Sequence, residues 1–122
     1  MTHRAERVAD QIRMVLSAAI RDEIRDPRVG FATLTEVELS PDLKQARVFV
    51  SRLGSPAERE ASVVALNHAA PFLRKVLAER ARLRYTPVLR FVSDDTLERG
   101  SRVEEIIRDL HAGDPPEPDS GS

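Results

Sequence analysis

Five prolines punctuate this chain. Pro27, Pro41, Pro56, Pro71 and Pro87 fall fourteen to sixteen residues apart. A proline has no backbone N–H and disfavours helical geometry in the residue before it, so each marks a boundary or a kink. The first 26 residues are free of this constraint. Residues 4–25 read as one helix: Val8, Ile12, Val15, Leu16, Ala19, Ile20 and Ile24 recur at steps of three and four, which makes one apolar stripe. Arg7, Asp10, Arg21, Asp22 and Arg25 take the opposite face. Asp26-Pro27 ends the helix and Gly30 permits a turn.

The shorter segments read in turn. Residues 31–39 and 45–53 are predicted strands, joined by Ser40-Pro41-Asp42-Leu43-Lys44 as a hairpin turn. The second strand alternates clearly, with Ala46, Val48 and Val50 between Arg47, Phe49 and Ser51. The first alternates poorly, which leaves its register open. Ser55-Pro56-Ala57-Glu58 is a capping box with proline at the first helical position. The helix it opens carries Ala61, Val64 and Ala65, then Phe72, Leu73, Val76 and Leu77. Pro71 interrupts that stripe at a cost of roughly 3 kcal/mol in a continuous helix, so a kink or restart is expected at Ala69-Ala70-Pro71. The second piece is expected to end near Leu83.

Thr86-Pro87 opens a third strand at Val88–Val92. A last helix is predicted to start at Asp95 or Ser101, both of which begin capping boxes, and to end near Leu110. The order helix, strand, strand, kinked helix, strand, helix predicts a small α+β domain, with helices packed on one face of a three-stranded sheet. The other face is expected to be partly polar and exposed. Residues 1–111 form the domain. Residues 112–122, rich in proline, glycine and acid, are read as a disordered tail.

The chain has 122 residues, enough for a core without disulfides or metals. It has no cysteine, which excludes thiolate catalysis, cysteine zinc sites and iron–sulfur clusters. No apolar run approaches the ~18 residues of a membrane span, and the N-terminus has no apolar signal region. A cytoplasmic setting is expected, with no membrane partner.

The formal net charge of −1 conceals a strong asymmetry. Residues 67–92 hold Arg74, Lys75, Arg80, Arg82, Arg84 and Arg90 against Glu79 alone, a local +5. Residues 93–112 carry −3 and the tail another −3. Polyanion binding follows local potential, so the basic block is the main functional feature of the chain.

The run Ala65-Leu66-Asn67-His68-Ala69-Ala70-Pro71-Phe72-Leu73-Arg74 precedes Leu83-Arg84-Tyr85-Thr86-Pro87-Val88-Leu89-Arg90-Phe91-Val92. Together they closely resemble ribosome-binding factor A. The stretch from Asp94 to Val103, Arg4-Ala5-Glu6-Arg7-Val8 and the hairpin from Val37 to Val48 extend the likeness over about residues 3–110. The resemblance implies a type II KH-like fold with a kinked second helix. It also implies a bacterial assembly factor that binds the free 30S subunit and its 16S rRNA. Such a factor assists late maturation and rRNA processing without catalysis. The family pattern has an Ala-x-Gly kink in place of the usual KH Gly-x-x-Gly loop. This chain has Ala69 and Ala70, but Pro71 stands where glycine is expected. Proline still breaks a helix, yet it offers no N–H and no positive φ. A monomer is expected, with no cofactor. Release by a GTPase is implied, but no residue here identifies it.

The candidate RNA-binding residues are Arg74, Lys75, Arg80, Arg82, Arg84 and Arg90, with Arg4, Arg7 and Tyr85 as extensions. Arginine and lysine neutralise phosphates and release counterions. The plain alternative is a solvated helix face. Tyr85 is read first as a strand-end packing residue, and second as a group that stacks on a base or bonds a phosphate. Phe31, Phe49, Phe72 and Phe91 are read as core. Asp94, Asp95 and Glu98 are read as helix-start acids in preference to a metal site, and His68 as a satisfied or exposed residue. No P-loop, nucleophile elbow or His-Glu-x-x-His motif is present. A second function, a protein-interaction adaptor, would use the acidic C-terminal region.

Overall fold

A computed structural model describes residues 2–94. The predicted last helix, the tail and the boundary near residue 111 lie outside them, as does the acidic region on which the adaptor reading rests. The described elements are α1 (Thr2–Glu23), β1 (Thr33–Leu39), β2 (Gln45–Ser51), α2 (Pro56–His68), α3 (Ala70–Arg80) and β3 (Val88–Ser93). β2 is central, antiparallel to β1 and parallel to β3. The three helices pack on one face of this mixed sheet, which is the α+β arrangement the order of elements predicts and fits the KH-like fold the resemblance implies. No described helix is long and apolar enough to cross a membrane.

Local chemistry explains the boundaries. α1 stops two residues short of the predicted end, because the Asp26 carboxylate accepts the Arg28 N–H at 3.0 Å and builds a turn there. Gly30 follows at φ +62, where a side chain would also run into the Arg52 guanidinium. The hairpin turn is held by Ser40, whose Oγ accepts the Gln45 N–H and donates to Asp42. That network keeps Leu43 at φ +63, unusual for leucine. At α2 the capping box is complete: Ser55 Oγ accepts the Glu58 N–H at 3.1 Å, and Glu58 Oε1 accepts the Ser55 N–H at 2.8 Å.

The break between α2 and α3 falls at Ala69 (φ −86, ψ −3), with Pro71 in the first turn of α3. No positive φ is used, so the bend forms without a glycine. α3 ends at Arg80, three residues before the predicted Leu83, because Ala81 turns to extended geometry.

The poor alternation of β1 has a physical cause. A bulge between Leu34 and Glu36 puts an extra residue, Thr35, into the strand. Leu34 and Val37, three apart, therefore both reach the core. Three inward rows result: Leu34–Val50–Ser93, Val37–Val48–Phe91 and Leu39–Ala46–Leu89. Ile12, Leu16 and Ala19 of α1, Leu66 of α2 and Leu73 and Leu77 of α3 close over them.

Three apolar residues read as part of the core or its stripe are not there. Phe31 is 99% exposed, because β1 begins only at Thr33 and the Gly30 turn leaves the ring outside. Phe72 is 44% exposed: the break at Ala69 resets the helical phase, and Leu73, Val76 and Leu77 take the inner side. Val64 is also exposed, since α2 turns Ser62, Ala65 and Leu66 inward. The buried Ser62 hydroxyl is satisfied by donating to the Val29 carbonyl at 2.9 Å. Phe91 and Phe49 are buried as read, though Phe49 is not part of the cluster under the helices.

Three turn carboxylates make the fold acid-sensitive. Hydrogen bonds from the Arg28 side chain and backbone lower Asp26 from 3.8 to about 2. The Ser40 hydroxyl and Lys44 N–H lower Asp42, and the Ser55 N–H and nearby Arg52 lower Glu58. A carboxylate whose pKa is depressed by folding stabilises the fold above its unfolded pKa and loses that contribution as pH falls towards the folded value. Denaturant midpoints are therefore expected to hold above pH 5 and to drop between about pH 4.5 and 2, and Asp26→Asn should flatten part of that drop.

Candidate nucleic-acid interface

The sheet topology builds the site. Because β3 runs parallel to β2, it begins beside the hairpin turn, and the Val88 N–H donates to the Lys44 carbonyl at 2.9 Å. Lys44 is thereby carried to the basic block, with its ammonium 5.5 Å from the centre of the Tyr85 ring. Arg74 reaches the same turn from α3: its Nη2 donates to the Thr86 carbonyl at 2.9 Å and its Nε at 3.3 Å. Lys44, Arg74 and Tyr85 thus come together where α3 and the turn into β3 meet, and the exposed Arg84 precedes Tyr85 in the same turn. Tyr85 is a half-exposed ring carrying a cation, rather than a packed strand end.

The candidate cations separate into two kinds. Arg74 positions the Thr86 turn, and Arg80 pairs with Glu23 to tie α3 to α1. Lys75, Arg82, Arg84 and Arg90 are exposed, and among the described residues no carboxylate forms an ion pair with them. Arg90 lies on the outer face of β3, in register with Arg47. No side chain caps the start of α3.

Arg4 and Arg7 are exposed but lie elsewhere. α1 packs chiefly on β1, at the opposite edge of the sheet from β3. Arg7 is also about 24 Å along the helix from the Glu23 end that Arg80 grips, at 1.5 Å per residue. Lys44 is the residue that sequence reading missed. Its only signal was its place in the hairpin turn, which acquires meaning once β3 is known to start beside it.

Among the described residues no group of three His, Asp or Glu side chains is placed to hold a metal. Asp94 is used structurally: its carboxylate accepts the Thr35 hydroxyl and its N–H donates to the Val50 carbonyl. Asp95 and Glu98 lie outside the described residues. His68 is exposed.

Fold and surface together define a KH-like α+β domain with a strip of cations, unpaired among the described residues, along α3 and the turn into β3. The family model for ribosome-binding factor A matches residues 4–107. A ribosome-binding factor A from Desulforamulus reducens is 39% identical over 112 residues, covering 92% of this chain and 93% of its own length. The solution structure of a Thermotoga maritima protein assigned to ribosome binding factor A is 38% identical, with a TM-score of 0.69, covering 78% of this chain and 91% of that one. A Thermus thermophilus ribosome binding factor A, fitted into a map of a complex with the 30S subunit, is 31% identical, with a TM-score of 0.58, covering 69% and 88%. This chain belongs to the ribosome-binding factor A family.

Proposed function

We propose that this chain binds the free small ribosomal subunit by its 16S rRNA and assists late maturation of that RNA without catalysis. The observation that carries the reading is the group of exposed cations Lys75, Arg82 and Arg84, which form no ion pair among the described residues, joined by Lys44 over Tyr85. The small-subunit complex of the Thermus thermophilus relative supports the choice of partner. Recognition is mainly of phosphate and RNA shape, since aromatics are only 4% of the chain and leave little for base stacking. Binding favours one RNA arrangement by its differential affinity, and release must follow.

Cosedimentation with small subunits, large subunits and assembled ribosomes across a salt series tests this. Preferential binding to free small subunits that weakens as salt rises is the expected result. Equal binding to all three particles would reduce the function to general RNA affinity. No binding at low salt would overturn it.

A further inference from the structure

The sheet face turned away from the helices holds a buried phenylalanine. Phe49 alternates with Val48 and Val50, which belong to the core under the helices, so its ring points to the other side. Its register partners there are Glu36 on β1 and Val92 on β3, and the next row is Glu38, Arg47 and Arg90. Phe49 is nevertheless only 4% exposed. Two half-buried cross-strand neighbours do not take a phenylalanine ring out of water. A ring standing on a sheet needs a layer above it.

The chain beyond β3 is placed to supply that layer. β3 ends at Ser93, one position past the partner of Phe49. Asp94 is anchored at that point, by its N–H to the Val50 carbonyl at 2.7 Å and by its carboxylate to Thr35, the extra residue of the β1 bulge. The chain therefore leaves the sheet tied to the other two strands, beside the Phe49 row. Twenty-eight residues follow. Within them Val103, Ile106, Ile107 and Leu110 fall at i, i+3, i+4 and i+7, the spacing of a one-sided helix. The six residues 95–100 span up to about 20 Å when extended, about the length of a strand of this sheet, so the helix can reach any part of the outer face. Charge also matches: Glu104, Glu105 and Asp109 suit the adjacent Arg47 and Arg90, and Arg102 and Arg108 suit Glu36 and Glu38.

We propose that residues 101–110 form a helix that docks on the outer face of the sheet of the same chain, with Val103, Ile106, Ile107 and Leu110 over Phe49 and Val92. The domain then has three layers, and its outer sheet face is closed to RNA, which leaves the α3 side as the contact surface.

The chain has no native cysteine, so disulfide trapping reads this contact directly. In the full-length chain, Val92→Cys with Ile107→Cys is expected to cross-link within one molecule at least tenfold faster than Met14→Cys with Ile107→Cys, since Met14 is exposed on α1. In the unmodified chain, NMR is expected to show contacts between the Phe49 ring and the Ile106 and Ile107 methyls, lost in the Ile106→Glu, Ile107→Glu variant. Equal cross-linking of both pairs, or no such contacts in the unmodified chain, overturns the proposal. Disulfides formed between molecules at the Val92 pair would overturn it in favour of a second copy as the cover. Neither measurement involves a ribosome, so failure here is separate from failure of the proposed function.

Discussion

Asn67→Ala is expected to destabilise the protein by about 2–4 kcal/mol and to lower its Tm by about 10–25 °C. Asn67 sits at the end of α2 and faces β3, an edge strand. Its Nδ2 donates to the Phe91 carbonyl and its Oδ1 accepts the Phe91 N–H, both at 2.8 Å. The amide thus behaves as one residue of a further strand, satisfying the edge where a neighbouring chain would otherwise pair. Alanine leaves both backbone groups unpaired next to the fully buried Phe91 ring, and each unsatisfied group costs about 1–3 kcal/mol. Partial access of water at the sheet edge keeps the sum in the lower part of that range. Asn67→Asp keeps an acceptor for the N–H but sets a carboxylate against the Phe91 carbonyl, so it should cost at least as much. Thermal unfolding followed by circular dichroism measures both. A loss below about 0.5 kcal/mol for Asn67→Ala, the size of an ordinary surface substitution, would show that the bridge contributes little.

The combined variant Lys44→Gln, Lys75→Gln, Arg82→Gln, Arg84→Gln is expected to lower the slope of log affinity against log salt by about four, if each cation meets one phosphate. Between 50 and 200 mM salt, wild-type affinity for small subunits should fall about a hundredfold more than that of the variant. These four side chains are chosen because they are exposed and form no ion pair among the described residues, so the fold should tolerate their loss. Arg74 and Arg80 are left in place, because removing them would also free the Thr86 carbonyl and Glu23 and confuse folding with binding. Unchanged slope and affinity would show that RNA meets another surface. Arg4→Gln with Arg7→Gln, at the far edge of the sheet, should leave the slope nearly unchanged, and a drop of about two would place both on the RNA.

Much of the fold was legible from short-range chemistry. The Asp26-Pro27 stop, the capping box at Ser55 and Glu58, the hairpin turn from Ser40 to Lys44 and the helix break before Pro71 each depend on groups a few residues apart. The sequence by itself therefore determined the order of the elements, most of their boundaries and the identity of the basic block. Tertiary structure decided which apolar residues are buried and which cations are committed elsewhere. Phe31 lies outside because β1 begins late, and Ser62 replaces Val64 inside because its hydroxyl finds the Val29 carbonyl. The same limit applies to the site. Lys44 joins Tyr85, Arg74 holds Thr86 and Arg80 holds Glu23 only because β3 lies parallel to β2 and α3 lies against α1. These are pairings between residues twelve to nearly sixty positions apart, and periodicity and capping act only within a turn or two of their own element.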